Sequence, residues 1–178
     1  MAKKPRWYDQ NPEFDDYDLE LSKTEKKKAL HRLQGMGEKL GSLSAKQIKK
    51  LEAEDFLKEE LLALSTISSK PARNRQVGRI GKVMGKLESD EVISLTRQLF
   101  EKTYSPEQQA KVLSWIDRMV SDDDQVKLFV KHFTAAEINS INQQLIWYEH
   151  GKQTGDEGLS AAALESLECY VMQVAVLS

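Results

Sequence analysis

Apolar residues recur at helical spacing along almost the whole chain. Ala29, Leu33, Met36, Leu40 and Leu43 stand 4, 3, 4 and 3 residues apart, which is one face of a helix. That helix opens at Ser22-Lys-Thr-Glu25, a capping box in which the Ser oxygen takes an orphan N–H and the Glu reaches back, and Gly41 is its stop. Ser44 with Gln47 opens a short second helix to about Leu51, and Leu57, Leu61 and Leu64 mark a third, ending near 68–69. Lys70-Pro71 begins a fourth, running to about Leu87, with proline tolerated in its first turn. Val92, Leu95 and Leu99 place a fifth over 90–104. Ser105-Pro106-Glu107-Gln108 starts a sixth, lined by Val112, Trp115 and Met119, and Asp122 to Phe133 reads as a short seventh. Thr134-Ala-Ala-Glu137 is read as the box of an eighth, ending at Gly151. Ile138, Ile141, Leu145 and Tyr148 form its apolar face, with Trp147 at the rim. A polar loop over 151–158 precedes a last helix from about Ser160. No segment has the β-branched alternation of a strand, so the fold class is all-α.

The last helix carries two apolar stripes. Leu164, Leu167, Val171 and Val174 form one; Ala162, Cys169, Met172 and Val176 form a looser second. A surface helix needs only the first. The second is expected to be buried within the same chain.

Charge divides the chain more sharply than hydropathy does. The net charge of −2 over 178 residues conceals a segment, 22–87, with 16 basic and seven acidic residues, a net of +9. Residues 1–21 carry −3, and both 88–150 and 151–178 are acidic, at −5 and −3. Residues 1–21 place Trp7, Tyr8, Phe14 and Tyr17 among Asp and Glu without helical or strand period, and read as a disordered acidic arm. Such an arm beside a basic segment could also shield it from the wrong polyanions. The organisation expected is therefore an arm over 1–21, a basic helical module over 22–88 and an acidic helical module over 89–178. A cationic field confined to one module points to a polyanionic partner.

Composition removes several classes. No apolar run approaches the roughly 20 residues of a membrane span, and no apolar stretch follows Met-Ala-Lys-Lys-Pro-Arg, so neither a membrane helix nor a secretory signal is expected. One cysteine makes no internal disulfide and no cysteine-rich zinc site. His31, His132 and His150 lie in different helices without metal-ligand spacing. Asp122-Asp-Asp124 diverges around a helix and reads as compensation of the N-terminal dipole. Cys169, among Leu, Val and Met, reads as packed and inert. No catalytic constellation remains, and neither an enzymatic activity, a metal nor a cofactor is expected.

The fourth helix holds the candidate chemistry. Val77, Ile80, Met84 and Leu87 repeat at 3, 4 and 3, while Arg75, Arg79, Lys82 and Lys86 repeat at 4, 3 and 4. The two series are offset by two residues, about 200° around the helix, so one face is apolar and the opposite face cationic. No acidic residue interrupts Lys70–Leu87. The like charges repel by a few tenths of a kcal/mol per pair, a repulsion that a polyanion relieves. Gly78, Gly81 and Gly85 form a third stripe. Each costs roughly 1 kcal/mol against alanine, so close approach either of another helix or of a phosphate backbone is implied. Lys23, Lys26, Lys27 and Lys28 add positive charge at the start of the first helix.

Ser22-Lys-Thr-Glu25, Leu33-Gln-x-Met36-Gly37-x-x-Leu40-x-x-Leu43-Ser44, and above all Ala72-Arg-x-Arg-Gln76 with Ile80-Gly81-Lys82-x-Met84, resemble the bacterial dual-action ribosomal maturation protein family. Weaker similarity extends over most of 22–175. The resemblance implies a helical, elongated protein with two small bundles, a non-catalytic, cytoplasmic factor that binds large-subunit ribosomal RNA late in assembly. Arg73, Arg75, Gln76, Ile80, Gly81 and Lys82 match the family's basic block. Three departures stand out: Asn74 in place of a third arginine, Gly85 where a basic residue is common, and an apolar tail over 170–177. The first two imply altered RNA contact, the third a more buried last helix or a self-association surface. The expected RNA-binding set is Arg73, Arg75, Gln76, Arg79, Lys82, Lys86, Gly78, Gly81, Lys27 and Lys28. The expected partners are ribosomal RNA, precursor particles and ribosomal proteins, with the chain itself a monomer. The alternative is a helical protein-interaction adaptor without RNA-binding function, using the acidic module and last helix.

Overall fold

The structure, a computed structural model, describes residues 23–178. The arm expected over 1–21 and the Ser22 cap lie outside the described residues. Nine α-helices and no strand make up the described chain: α1 (Lys23–Gly41), α2 (Ala45–Lys49), α3 (Asp55–Thr66), α4 (Lys70–Met84), α5 (Ser89–Thr103), α6 (Pro106–Ser121), α7 (Asp123–His132), α8 (Ile138–Thr154) and α9 (Glu157–Leu177).

Two of the expected capping boxes are in place. Ser44 Oγ accepts from the Gln47 N–H at 3.3 Å while Gln47 Oε1 accepts from the Ser44 N–H at 3.0 Å. Ser105 and Gln108 repeat the arrangement at the start of α6. Asp122 caps α7, taking the Asp124 N–H at 3.0 Å and the Gln125 side chain at 3.1 Å. The bond from the Asp124 backbone is the main cause that holds the Asp122 carboxyl below its ordinary range.

α9 organises the packing. It lies against α8, α5, α6 and α1, and it is buried on every side from Cys169 to Val176. A helix apolar all round belongs in an interior. By length and composition it is also the one described helix able to cross a membrane, contrary to the expectation that no stretch comes near, but two thirds of its apolar window is covered by the rest of the chain. Cys169, Met172 and Val176 are buried within the chain as expected, while Ala162 and Leu164 at the outer end are exposed. One continuous apolar core runs from Met36 and Leu40 of α1 through Ile80 and Met84 of α4 and Leu95 and Phe100 of α5 to Val171 and Val174 of α9. Each such side chain contributes roughly 1.5–3 kcal/mol.

Three expectations about α8 are corrected. The helix passes through Gly151 and ends at Gly155, whose φ of 73° is the left-handed stop that suits glycine. Gly151 is instead buried where α8 meets the start of α9, with the Ser160 nitrogen only 2.6 Å from where a Cβ would stand. The polar loop over 151–158 therefore reduces to Gly155 and Asp156, and Asp156 caps α9 by accepting from the Leu159 N–H at 2.9 Å. Thr134 opens no helix; Glu137 is the N-cap and Ile138 is exposed. Trp147, placed at the rim by the sequence, is buried against Leu159 and Ala163, and Tyr148 is only half-buried beside them. Ile141 and Leu145 of the expected face are buried as read, and packing of α8 along α9 adds Trp147 to the inside.

Cys169 sits in a small buried polar group. Its thiol lies 3.7 Å from Thr96 Oγ1, Gln173 Nε2 donates to Cys169 Sγ at 3.4 Å, and Arg32 Nε donates to Gln173 Oε1 at 3.4 Å. Burial is the main cause that pushes the thiol above its ordinary pKa. A neutral thiol favoured by the fold contributes stability below the ordinary thiol range, and that contribution is lost as pH rises through the shifted value. The native protein is thus expected to react slowly with a thiol reagent at neutral pH and rapidly once denatured, as followed by absorbance of the released chromophore.

Candidate nucleic-acid interface

The packing of α4 decides which of its cations are available. Ile80 and Met84 are fully buried against α1, and Val77 and Leu87 are half-buried. The seam therefore faces inward as its spacing predicts. Arg75, Arg79 and Lys82 lie exposed on the opposite face. The helix ends at Met84, earlier than expected, but Lys86 N–H still donates to Val83 O at 3.1 Å in a helical turn, which leaves Lys86 exposed on the same side. From Arg75 to Lys86 the stripe is about 16 Å long.

Its members are not equivalent. Arg79 Nη2 pairs with Glu60 Oε1 at 2.8 Å, and the other oxygen of Glu60 accepts from Gln76 Nε2 at 2.6 Å. Gln76 also donates to the Glu60 carbonyl at 3.0 Å, so Gln76 fastens α4 to α3. Arg73 is held between Glu38 Oε1 and the Leu64 carbonyl, each at 3.5 Å. Lys28 bridges Glu25, at 3.3 Å, and Glu137, with which it makes a closer ion pair. The hydrogen bond to Glu137 is the main cause that raises its pKa. Ser140 Oγ donates to Glu25 Oε2 at 2.7 Å, completing a tie between α1 and α8. Arg75, Lys82, Lys86 and Lys27 are exposed and form no ion pair among the described residues.

The glycines separate in the same way. A Cβ on Gly78 would meet nothing within 4 Å. A Cβ on Gly81 would stand 2.2 Å from Gln34 Cγ, because Gly81 is buried where α4 crosses α1. The close approach that Gly81 serves is that of a helix, and it is not open to a phosphate backbone. Gly37 makes the matching recess on α1, with Ile80 Cγ2 at 2.5 Å from its Cβ position. Since Ile80 is β-branched and fully buried, it has little room to move. Gly37→Ala is expected to lower stability by about 1–3 kcal/mol, overriding the roughly 1 kcal/mol gained in helix propensity, as read by thermal denaturation.

Residues 19–165 match the family described as dual-action ribosomal maturation protein DarP. The chain belongs to this family. A dual-action ribosomal maturation protein of Nitrosomonas eutropha is 30% identical over 161 residues, covering 87% of this chain and 90% of that protein. One of Cupriavidus metallidurans is 28% identical over 134 residues, 73% of this chain and 66% of that protein. No solved structure matches. The basic block Ala72–Met84 lies well inside the family match, whereas the match stops at Glu165, just before the fully buried half of α9.

The carboxylates of Glu38 and Glu60 were not singled out from the sequence, and Glu137 only as part of a capping box. Each lies on, or at the start of, a helix other than its cation's, so no local spacing reveals the pairing. The only sequence signal was the unusual arginine density of the block itself. Elsewhere, His31 is exposed, while His132 stacks near Trp115, at 6.0 Å between centroids. Trp115 is half-buried, T-shaped on Phe129 and covered by Arg118 at 3.8 Å. No group of three His, Cys, Asp or Glu among the described residues is placed to hold a metal ion.

Proposed function

We propose that this chain is a non-enzymatic factor of late large-subunit assembly that binds ribosomal RNA through the exposed face of α4. The observation that carries the reading is the free cationic stripe of Arg75, Lys82 and Lys86 on an acid-free helix, in a member of a ribosomal maturation family. Arg75 offers a planar fork that meets two phosphate oxygens, and the lysines act as point charges. Lys27 extends the field from α1. Arg79 keeps more than half of its side chain exposed despite its bond to Glu60, so it enters as a partly neutralised fifth contact. Gly78 leaves the helix backbone open beside the stripe.

In this reading Arg73, Gln76, Gly81 and Lys28 serve the fold that presents the stripe. The protein works as a monomer in the cytoplasm, on precursor particles that carry the RNA and ribosomal proteins. Gradient sedimentation of a lysate tests it. At low salt the protein is expected with large-subunit particles, and nuclease treatment should release it. Association that survives nuclease would favour a protein-interaction adaptor, and sedimentation away from ribosomal particles would contradict the reading.

A further inference from the structure

We infer that the RNA this protein takes is an unpaired segment, whose backbone follows the solvent side of the α1–α4 contact and whose bases lie on Leu30 and His31 of α1. The inference rests on the reading above and specifies the form of RNA that the stripe holds.

Glycines fix the register of the contact. The Cβ position of Gly81 falls on Gln34, and that of Gly85 is 3.4 Å from Leu30 Cδ1. Contacts that advance along α4 therefore retreat along α1, and the two helices are antiparallel. The pair of Arg73 with Glu38 continues the same order. On the core side of this line lie Ile80 and Met84 of α4 with Leu33 and Met36 of α1. On the solvent side, Lys82 stands about 100° around α4 from Gly81, and His31 about 100° around α1 from Leu30. Both are exposed, and neither forms an ion pair among the described residues. They border a shallow channel between two helices whose axes pack roughly 8–10 Å apart. Gly85, exposed in its floor, leaves the α4 backbone bare.

The two borders differ in chemistry, and the difference selects the ligand. The α4 border is cationic, with Lys82 and Lys86 beside Arg75. The α1 border sets Leu30, 36% exposed, next to the His31 imidazole, with Lys27 one turn before. A duplex carries its phosphates outside and hides its base faces, so it would engage the cations and leave Leu30 and His31 unused. An unpaired strand offers phosphates to one border and base faces to the other, and histidine is among the side chains on which splayed bases stack. A channel of this width also admits one sugar–phosphate strand rather than a double helix.

Gly78 supports the path independently. Glycine in mid-helix costs stability against alanine, yet a Cβ at Gly78 would meet nothing within 4 Å, so no contact among the described residues accounts for it. Gly78 lies between Arg75 and Lys82 along α4, about 60° and 40° from them around the helix. A strand passing from one cation to the other comes closest to the helix backbone there.

Fluorescence anisotropy of the full chain with two labelled probes, an unstructured RNA oligonucleotide and an RNA hairpin of equal charge, tests the inference. The oligonucleotide is expected to bind about tenfold more tightly. His31→Ala should weaken the oligonucleotide about tenfold, leaving the hairpin affinity and the salt slope unchanged, because stacking releases no counterions. Gly78→Leu should raise the melting temperature by a few degrees and weaken the oligonucleotide about tenfold. Circular dichroism should show full helical content in both variants. A hairpin bound as tightly as the oligonucleotide would overturn the inference and leave the proposed function standing. So would oligonucleotide binding that neither substitution alters. Binding of neither probe would contradict the inference and the proposed function together.

Discussion

The triple variant Arg75→Glu, Lys82→Glu, Lys86→Glu is expected to lose affinity for ribosomal RNA by about three orders of magnitude while keeping its helical content. Each contact between a cation and a phosphate is worth roughly 1.5 kcal/mol or more, and three such losses make about 4.5 kcal/mol, or a thousandfold in affinity. The fold should be indifferent, because all three side chains are exposed and none holds an ion pair among the described residues. Arg79→Glu is a different experiment. It would set a carboxylate against that of Glu60, whose side chain is only 11% exposed and whose oxygens hold Arg79 and Gln76. That variant is expected to weaken the α3–α4 contact as well as RNA binding. Fluorescence anisotropy with labelled RNA and far-ultraviolet circular dichroism separate the two effects. Helical content lost in the triple variant would show the stripe to be structural.

Val171→Asp is expected to unfold the whole described chain in one step. Val171 is fully buried in the middle of α9, in a core that continues without a break into α1 and α4. A carboxylate there has no partner, and its burial or the strain of avoiding it costs a large part of the 5–15 kcal/mol that holds a domain of this size together. Hydrogen exchange would report the result helix by helix. Protection should vanish from α1, α3 and α4 together with α5 to α8. Protection retained in α1 to α4 would instead mean that the basic half, 22–88, folds as a module of its own. The boundary near Ser89 was read from charge, and charge follows the surface; cooperativity follows the core, which here crosses that boundary.

What could be read from the sequence was what is decided within a turn or two of helix. Ser44 with Gln47, and Ser105 with Gln108, are local exchanges of hydrogen bonds, and their residue types reveal them. The two faces of α4 were legible for the same reason, since Val77, Ile80 and Met84 can share a side only in one geometry. What remained hidden depended on residues far away in sequence. Trp147 is buried because Leu159 and Ala163 fold back over it, and nothing in the spacing of α8 alone says so. Gly151 looks like a helix stop and is a crossing point, because a helix tolerates glycine where another backbone needs the space. In the candidate site, the exposure of Arg75 and Lys82 followed from periodicity, but the attachment of Arg73 to Glu38 and of Arg79 to Glu60 did not. A stripe of like charges gives no sign of which members a neighbouring helix will claim.

The decisive measurement is the salt dependence of affinity for a large-subunit ribosomal RNA fragment. Each phosphate neutralised releases counterions, and log affinity falls with log salt by about 0.7 to 0.9 per contact. Four free cations, Arg75, Lys82, Lys86 and Lys27, with the partly neutralised Arg79, give an expected slope of roughly −3 to −4 for the native chain. In the triple glutamate variant, which keeps only Lys27 and the partly neutralised Arg79, the slope should fall to about −1 or shallower. A native slope near zero, or a slope unchanged by the three substitutions, would contradict the assignment of RNA binding to the exposed face of α4.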